Sequence, residues 1–416
     1  MANSTPYSNV AGRDVRSTPG WQDLPMTSSD VRSRFPGLSD GWVRFDGPAG
    51  TLPVDTSVSA IADYMRSPKP ANLGGEFAAT KASDEVVAHA RSTVARFLGA
   101  ESDQVVFGPS TTNLMFAFTR ALSRHWEPGD RIVCTQLDHD SNVSPWLWAA
   151  RDVGATVEFL EVDPTDGTLD VEPLKDLCAD GRTRWVAISG ASNLTGHAPD
   201  LARATAIAHE MGARILVDGV ARVPHLPTNV AELDVDVLST SPYKWYGPHA
   251  GVLVVRDNLL RDIEPYRVRP ADYDGPARWE TGTPQIELLA GIAAAAEFMM
   301  ETPLVDEAEK ETRLLARLQE GLHEISGVRV HAPSVTPDRA PTVIFTVAGH
   351  SPEEVDRYLA SMKIAVWHGD NYACELIDAL GLRATGGAVR AGIVRYTTES
   401  DVDALLAALV ELTKAN

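Results

Sequence analysis

Short apolar runs alternate with longer amphipathic stretches from about residue 82 to residue 256. Apolar runs bounded by turn residues are typical of buried strands, and apolar positions at helical spacing are typical of helices. Their alternation predicts an α/β protein with a mainly parallel, seven-stranded sheet covered by helices on both faces. The predicted strands are Gln104–Phe107, Arg131–Thr135, Thr156–Glu161, Arg184–Ser189, Arg214–Asp218, Val235–Ser239 and Gly251–Arg256. The predicted helices are Ala82–Leu98, Thr111–Arg124, Val143–Val153, Val171–Leu177 and Leu201–Met211.

The pattern changes after about residue 290. Two long helices are predicted at Ile286–Met300 and Glu307–Ile325, the second with leucines at helical spacing. A further helix should begin at Ser351-Pro352-Glu353-Glu354, which offers a cap, a first-turn proline and a capping-box glutamate. With short strands between the helices, this part reads as a smaller α+β domain. The predicted strands are Val328–His331, Thr342–Val347, Ile364–Trp367 and Val389–Ile393.

The length of 416 residues exceeds what one hydrophobic core normally serves, so two domains are expected. Residues 1–26 are rich in Ser, Pro, Asn and Gly and are predicted to form a flexible arm. Residues 27–290 are assigned to the large domain and residues 291–416 to the small C-terminal domain. Whether the first ordered segment, from near Thr27, packs on the small domain is left open.

Composition excludes several classes of function. The formal net charge of −20 leaves no surplus of cations for nucleic acid or an anionic membrane. The three cysteines are widely spaced and form no CxxC pair, so neither a disulfide framework nor a structural metal site is expected. No apolar run reaches the length of a membrane span, and the first residues lack the apolar core of a signal peptide. A cytoplasmic enzyme is the expectation.

Lys244 lies just beyond a predicted strand, in Ser-Pro-Tyr-Lys-Trp-Tyr-Gly-Pro (residues 241–248). Its neighbours are Pro, Tyr and Gly rather than other charges, which is not typical of a solvated lysine. Partial burial would favour the neutral, nucleophilic amine that a Schiff base requires. Taken alone, the position suits a solvated or structural lysine equally well.

Asp218 ends a predicted strand, and ligands bind at the carboxyl ends of strands in open α/β sheets. A buried carboxylate there needs a partner. The pyridine nitrogen of pyridoxal 5′-phosphate (PLP) is such a partner, because it must stay protonated for PLP to act as an electron sink. A simple helix cap after the strand is the alternative.

Three hydroxyl residues, Ser110, Thr111 and Thr112, stand where a predicted strand turns into a helix. The backbone N–H groups and the positive end of a helix dipole attract anions, so this turn could cradle the PLP phosphate. Ordinary N-capping explains the same residues. His139 follows another strand and could stack on a flat heteroaromatic ring or cap the next helix. Arg390 lies within a short strand, where a substrate carboxylate or a structural acidic residue could pair with it.

The order and spacing of these residues resemble the class V aminotransferase superfamily of fold-type I PLP-dependent enzymes, in its cysteine desulfurase-like branch. The resemblance extends from about residue 30 to the C-terminus. The matching segments are Phe-Asp-Gly-Pro-Ala-Gly (45–50), Ser-Thr-Thr (110–112), Asp-His-Asp-Ser-Asn (138–142), Ser-Asn-Leu-Thr-Gly (192–196), Val-Asp-Gly (217–219), Ser-Pro-Tyr-Lys (241–244), Glu-Thr-Gly-Thr-Pro (280–284) and Arg-Ala-Gly (390–392).

The resemblance implies a PLP-binding large domain and a role for each matching residue. Lys244 would carry the cofactor as a Schiff base and then move the α-proton of an amino-acid substrate. Asp218 would pair with the pyridine nitrogen, and His139 would stack on the ring. The phosphate would be held by Thr111 and Ser241, with Tyr243 as a further contact and Ser110 and Thr112 beside them.

Three further residues would complete the site by resemblance. Thr283 would reach the phosphate bound to a neighbouring subunit, which implies a homodimer with shared active sites. Asn193 would lie near the cofactor's phenolic oxygen and the substrate carboxylate. Arg390 would bind that carboxylate.

The sequence departs from the desulfurase pattern on a loop near the C-terminus. Desulfurases use a loop cysteine to accept sulfur as a persulfide, and Tyr372 stands at that position. Cys374, two residues later, is expected to begin a helix and to pack as a small apolar side chain. Ala221 replaces the usual Gln or His after the strand aspartate, and Tyr243 replaces a His before the lysine.

Without a persulfide cysteine, the leading expectation is a C–S β-lyase of a cysteine conjugate, of the kind found in sulfur-containing natural-product pathways. Decarboxylation-coupled oxidative deamination, transamination and epimerisation remain alternatives. Epimerisation needs a second base, for which Tyr372 or His368 is a candidate. Cysteine desulfurase activity is disfavoured by Tyr372, and a non-catalytic scaffold is disfavoured by the intact Lys244, Asp218 and Arg390.

Overall fold

The computed structural model describes residues 28–271, 274–301 and 304–414, and the predicted arm at residues 1–26 lies outside them. The strands are β1 (Val43–Arg44), β2 (Val105–Gly108), β3 (Arg131–Thr135), β4 (Thr156–Leu160), β5 (Thr183–Ser189), β6 (Arg214–Asp218), β7 (Val237–Thr240), β8 (Gly251–Val255), β9 (Val328–Val330), β10 (Thr342–Val347), β11 (Ile364–Ala365), β12 (Trp367–Gly369) and β13 (Ala388–Gly392). The α-helices are α1 (Ser28–Ser33), α2 (Asp55–Arg66), α3 (Ala78–Leu98), α4 (Thr111–Leu122), α5 (Ser144–Val153), α6 (Leu174–Cys178), α7 (Leu201–Glu210), α8 (Val230–Leu233), α9 (Asp257–Asp262), α10 (Ile286–Glu301), α11 (Leu304–Glu324), α12 (Pro352–Ser361), α13 (Cys374–Ala379) and α14 (Glu399–Lys414). Turns of 3₁₀ helix cover Pro36–Asp40, Ser102–Gln104, Ser123–His125, Asp140–Asn142, Pro242–Lys244, Gly275–Arg278 and Arg383–Thr385.

The large sheet has seven strands in the order β2-β8-β7-β6-β5-β3-β4. All neighbours are parallel except β8, which runs antiparallel to both β2 and β7. The predicted α/β class with a mainly parallel seven-stranded sheet is therefore confirmed. Because parallel strands enter the sheet from one edge, the segments that follow them all emerge at the opposite, carboxyl edge.

Both faces of this sheet are buried, which explains the continuous apolar runs of its strands. Side chains alternate between the faces, so Trp185 and Ala187 of β5 join one core, while Val186 and Ile188 join the other. Alternation of this kind leaves little freedom in register, since a slip of one residue would exchange the two faces.

The C-terminal part is built on an antiparallel sheet in the order β12-β13-β10-β9. Its core contains residues of α11, α12 and α14 together with Phe45, which follows β1. β1 pairs in parallel with β11, so the segment around β1 packs on this C-terminal part, whereas Val31 and Phe35 before it lie in a core of the large sheet.

Helix α10 connects the two parts. Its residues Leu289, Ile292 and Phe298 lie in the same core as one face of the large sheet. The predicted boundary near residue 290 thus falls inside a helix whose apolar residues pack with the large domain.

Local elements agree only in part with the sequence-based predictions. The capping box at Ser351 and Glu354 is confirmed, with both reciprocal bonds present. The single strand predicted at Ile364–Trp367 is wrong, because the chain pairs first with β1 and then, from Trp367, with β13. Helices α2 and α14 were not predicted; α2 starts after Val54, whose side chain provides no cap. Among the described residues, no single helix is long and apolar enough to cross a membrane.

Candidate active site

Two adjoining clefts open at the carboxyl edge of the large sheet, where β5, β6 and β7 end side by side. The inner cleft, of about 500 Å³ with its mouth, brings together nine residues predicted from the sequence. They are Ser110, Thr111, Thr112, His139, Asn193, Asp218, Ser241, Tyr243 and Lys244. The outer cleft, of about 760 Å³ with its mouth, adds Pro48, Ala49, Trp367, His368, Gly369, Asp370, Asn371, Tyr372 and Arg390. His139, Asn193, Tyr243 and Lys244 line both.

Lys244 ends the 3₁₀ turn that follows β7 and is buried between the clefts. Its Nζ donates a hydrogen bond to the backbone carbonyl of Pro48. Burial, together with the positive charge of Arg390, lowers the pKa of Lys244 to about 7 against the opposing effect of Asp218. A substantial fraction of the amine is thus neutral near pH 7, the form that can form a Schiff base.

Asp218 is the last residue of β6 and is buried beside Ser189 of β5 and Ser239 of β7, its register partners. Burial raises its pKa. Among the described residues, its Oδ1 accepts hydrogen bonds from Val220 N (2.9 Å) and Ser239 Oγ (3.4 Å). This arrangement leaves Oδ2 for a cationic group in the inner cleft, which suits the protonated nitrogen of PLP.

The start of α4 forms one end of the inner cleft. Ser110 caps the helix by accepting a hydrogen bond from Asn113 N at 3.1 Å. Thr111 Oγ1 donates to the carbonyl of Thr240 at 2.8 Å and lies 2.7 Å from Ser241 Oγ. A Cβ at Gly251 would collide with the backbone of Ser110 and Thr111, so this glycine permits the close approach. The hydroxyls and helix terminus provide the donors that a phosphate requires.

His139 lies on the wall shared by both clefts. Its Nδ1 accepts a hydrogen bond from Ser141 N at 3.0 Å and lies 2.8 Å from Ser141 Oγ. Burial, with the nearby charges of Lys244 and Arg390, lowers the pKa of His139 to about 3. The imidazole is therefore neutral at physiological pH, and a flat uncharged ring is suited to stacking on the cofactor.

Arg390 and Asn193 form the boundary between the clefts. Arg390 is buried in β13 and donates to the carbonyl of Asn193 at 3.2 Å, while its Nε has no hydrogen-bond partner in the part of the chain that the structure describes. Burial lowers the pKa of Arg390 to about 9. The Asn193 side chain donates to the carbonyl of Asn371 at 2.9 Å, and its buried Oδ1 has no partner among the described residues. The unpaired N–H of Arg390 fits a carboxylate, and the unpaired Oδ1 of Asn193 fits a hydrogen-bond donor of a ligand.

Tyr243 packs against the imidazole of His249, a residue that was not predicted to belong to the site. It stacks on His249 with centroids 4.9 Å apart and planes 17° apart. The Lys244 Nζ lies 5.6 Å from the Tyr243 ring centroid. Burial raises the pKa of the Tyr243 phenol, which therefore stays protonated as a hydrogen-bond donor.

Tyr372 stands at the mouth of the outer cleft, with 69% of its surface exposed. Its ring stacks on His139 with centroids 5.4 Å apart. Cys374 does not line either cleft. It begins α13 as predicted, but the expectation that it packs as a small apolar side chain is wrong, because the residue is partly exposed and its Sγ lies 3.9 Å from Asp370 Oδ2. Partial burial raises the pKa of its thiol.

His368 lines the outer cleft, but its imidazole is directed away from Arg390. In the ladder, His368 pairs with Val389, whose side chain is in the small core, and Trp367 pairs with Arg390. Paired residues share a face of a sheet, and successive residues alternate. His368 Nδ1 accordingly bonds Asp356 Oδ2 of α12 at 2.7 Å, which makes it a poor candidate for a second base.

Thr283 lies apart from both clefts within this chain. It is exposed in the loop before α10 and lines a separate cavity with Glu280, whose carboxylate is held by Arg91 and by Phe107 N. Its predicted contact with the phosphate of another subunit stays a prediction.

The inner cleft also contains Ser141, Ser189, Ala191, Val220 and Ala221, which were not singled out as site residues for contact with the cofactor. Ser141 belongs to the Asp-His-Asp-Ser-Asn segment, so its position after His139 was the available signal. Ser189 gave no signal, because it resembles the end of any buried strand. The donors, the buried carboxylate and the neutral amine together fit PLP. Among the described residues, no group of acidic, His or Cys side chains could hold a metal ion.

Comparison with known proteins agrees with this geometry. The sequence model of the family described as Aminotransferase class-V matches residues 43–405. The chain is 32% identical over 396 residues to the cysteine desulfurase CsdA of Escherichia coli (strain K12), covering 92% of this chain and 96% of that one. The apo cysteine desulfurase of Thermococcus onnurineus NA1 has a TM-score of 0.88 at 28% identity, covering 95% and 99% of the two chains. A C-DES mutant with glycine linked to its PLP cofactor shares the fold (TM-score 0.78, 21% identity, 91% and 99% covered).

Proposed function

Because this chain belongs to the class V aminotransferase family, in its cysteine desulfurase-like branch, and is a fold-type I, PLP-dependent enzyme, we propose that it is a C–S β-lyase. The proposed substrate is a cysteine S-conjugate, R–S–CH₂–CH(NH₃⁺)–COO⁻. Water completes the reaction, and the products are the thiol R–SH, pyruvate and ammonium. No oxidant, reductant or second substrate is needed.

One observation carries the choice of reaction: no cysteine lines either cleft, and the loop position that faces His139 holds a phenol. A phenol cannot accept sulfur as a persulfide. The thiol of Cys374 belongs to α13, bonds Asp370 and has a raised pKa, so it is a poor nucleophile. Departure of a thiolate from Cβ, in contrast, requires only a base at Cα and space for the leaving group.

The residues of the chain divide the work between them. PLP, when bound, supplies the electron sink that makes the substrate α-proton acidic. Lys244 holds the cofactor and, once released by the substrate amine, is the base that removes this proton. Arg390 and Asn193 bind the α-carboxylate and so fix the orientation of Cα toward Lys244. Asp218, Thr111 and Ser241 hold the two ends of the cofactor.

We also propose that the enzyme is a cytoplasmic homodimer. Thr283 supports the dimer, because it is exposed on a loop outside the clefts of its own chain and would contact the phosphate of a second copy. The acidic charge and the few free cysteines are compatible with a reducing compartment.

The decisive experiment follows four products from purified holoenzyme: pyruvate, free thiol, sulfide and alanine. The substrates are an S-alkylcysteine, cysteine and alanine. Pyruvate and thiol formed in equal amounts from the conjugate support the lyase. Alanine with protein persulfide from cysteine would establish a desulfurase instead, and oxygen uptake with carbon dioxide release would establish the decarboxylating reaction. Protein that binds no PLP would be a scaffold.

Cys374→Ser is the matched control for this experiment. The lyase requires no thiol, so the variant should keep the wild-type rate of pyruvate formation within about twofold. A large loss of activity with cysteine would identify Cys374 as a sulfur carrier and contradict the proposal.

A further inference from the structure

Two large aromatic side chains border the outer cleft and are exposed to solvent. The exposed fraction is 48% for Trp367 and 69% for Tyr372. Exposed rings that converge on a cleft provide contact area at low cost in conformational entropy, so they are frequent in ligand-binding surfaces. Beside the two rings, Pro48 and Ala49 provide small apolar surface, whereas Lys244, Asp370 and Arg390 make the rest of the lining polar.

The position of Trp367 follows from its register with Arg390. The two residues are direct partners across β12 and β13, so their side chains project from the same face of the sheet. If Arg390 binds the α-carboxylate and Lys244 faces Cα, the substrate is anchored at the deep end of the cleft. Its side chain can then extend only toward the mouth, where Trp367 lies.

Tyr372 is fixed in place on a constrained backbone. Asn371 and Tyr372 have φ values of +50° and +59°, a left-handed conformation that non-glycine residues seldom adopt. Two contacts from the large domain hold it: Asn193 Nδ2 donates to Asn371 O at 2.9 Å, and Asp140 N donates to Tyr372 O at 2.6 Å. Such conformations persist where the surroundings impose them and are concentrated at functional sites. The ring is therefore presented at the mouth by this loop, stacked on His139.

We propose that Trp367 and Tyr372 form an aromatic subsite for the substituent carried by the substrate sulfur. The preferred substrates are then cysteine S-conjugates whose thiol carries a planar aromatic group, rather than cysteine or S-methylcysteine. The identity of the substrate as a conjugate rests on the proposed function, whereas the aromatic preference concerns binding and can be measured apart from it.

The test uses two amino acids that cannot release a thiol. Homophenylalanine replaces the sulfur of S-phenylcysteine by a methylene, and norvaline does the same for S-methylcysteine. Calorimetric titration of the holoenzyme should show homophenylalanine binding at least about tenfold more tightly than norvaline, because a stacked aromatic pair and its buried area provide that difference. Equal affinities would overturn the proposal.

Variants separate the subsite from the rest of the site. Trp367→Ala and Tyr372→Ala should each weaken homophenylalanine binding by about fivefold to tenfold and leave norvaline within about twofold. Tyr372→Phe keeps the ring and should retain the preference for homophenylalanine that Tyr372→Ala loses. Loss of the preference in Tyr372→Phe would instead indicate that the hydroxyl group, not the ring, is required. Trp148→Ala removes an exposed indole outside both clefts and should change neither affinity. Equal losses for both ligands in Trp367→Ala and Tyr372→Ala would contradict the subsite.

The same variants assayed with S-phenylcysteine and S-methylcysteine report on turnover. A raised KM for the phenyl conjugate with kcat nearly unchanged is expected, since the subsite binds the substituent and does not touch Cα. If no thiol is released but homophenylalanine is still preferred, the proposed reaction fails while the subsite stands. If thiol is released but homophenylalanine is not preferred over norvaline, the proposed reaction stands and the subsite fails.

Discussion

The inner and outer clefts share Lys244 and His139 but are built from different parts of the chain. The inner cleft consists of strand ends and the start of α4, where Asp218, Thr111 and Ser241 are buried and hydrogen-bonded. The outer cleft is completed by the segment from Trp367 to Tyr372, whose rings are exposed and whose backbone is left-handed at its end.

This difference suggests how one fold can support several reactions. A strand such as β6 is hydrogen-bonded to a neighbour on each side, which fixes the position of its last residue. The residues proposed to contact the cofactor are therefore positioned by the same hydrogen bonds and packing that stabilise the core. The outer segment pairs with β13 of the small sheet and contacts the large domain through the Asn193–Asn371 and Asp140–Tyr372 hydrogen bonds, so its side chains can change without disturbing the large sheet. Inner substitutions should therefore weaken retention of the cofactor, whereas outer substitutions should mainly change substrate binding.

The largest effect is expected at Lys244, which serves both clefts. Lys244→Ala removes the amine that holds the cofactor and moves the α-proton, so kcat/KM should fall by at least about a thousandfold. The visible absorbance band of the lysine-linked cofactor should disappear as well. Lys244→Arg is the control, because it retains the charge but cannot form a Schiff base. Survival of the band in either variant would refute the assignment of this lysine.

Arg390→Gln separates the two clefts most clearly. Removing the buried guanidinium should lower kcat/KM by about a hundredfold, mainly through KM, because the substrate carboxylate loses its charged partner. The cofactor absorbance should remain. Arg317→Gln is the matched control, since Arg317 is exposed and bonds Asp403 outside both clefts. Loss of cofactor from the Arg390 variant, with Arg317→Gln normal, would show that the division between clefts is incorrect.

Gly251→Ala affects only the inner cleft. The added methyl would push against the backbone of Ser110 and Thr111 and displace the start of α4. We expect the free energy of unfolding to fall by about 2 kcal/mol and PLP to bind more weakly, as overpacking of a tight contact predicts. Denaturant unfolding and cofactor titration measure the two effects. Unchanged PLP affinity would mean that the helix start does not hold the phosphate.

The pH dependence of cofactor attachment tests the environment of Lys244. Only the neutral amine reacts with PLP, and burial lowers its pKa to about 7. The rate at which apoprotein combines with PLP should therefore rise about tenfold per pH unit below 7 and level off above it. Arg390 contributes to the lowering, so Arg390→Gln should shift the midpoint to higher pH. A midpoint that moves down, or a rate that falls as pH rises, would contradict this account.

The smallest effect is expected from paired substitutions at Asn371 in the outer segment. Glycine adopts positive φ without cost, so Asn371→Gly should change the free energy of unfolding by less than about 1 kcal/mol. Asn371→Val places a β-branched residue in the same conformation and should destabilise the protein by about 1–2 kcal/mol. Thermal unfolding distinguishes them. Equal stability of the two variants would show that the segment does not keep its left-handed conformation.

Much of the large domain could be predicted from the sequence because its signals are local. Strand β6 is one apolar run, and its last residue, Asp218, lies at the predicted edge of the sheet. Thr111 at the start of α4 and Lys244 after β7 also come shortly after predicted strands, so their place at this edge could be predicted as well. Helix α2 was not predicted because its start has no capping side chain. The single strand predicted at Ile364–Trp367 is wrong because Ile364 pairs with β1 and Trp367 pairs with β13.

The candidate base His368 shows a different limit. An imidazole is a suitable base by type, but the face of the sheet that His368 occupies depends on the register of β12 against β13. A sequence cannot fix that register in a strand of three residues, because the hydrophobic pattern is too short to distinguish the faces.

The order of residues along the chain accounts for the alternation that builds the large sheet, for the polar side chains predicted at its carboxyl edge, and for the phenol at position 372. Three features of the site depend on tertiary structure. They are the stacking of Tyr372 on His139, the common sheet face of Trp367 and Arg390, and the hydrogen bond from Asn193 to the backbone of Asn371. Asn193 and Asn371 are 178 positions apart. Local propensities act over a few residues, whereas contacts of such separation exist only once both cores have formed and brought the two clefts together.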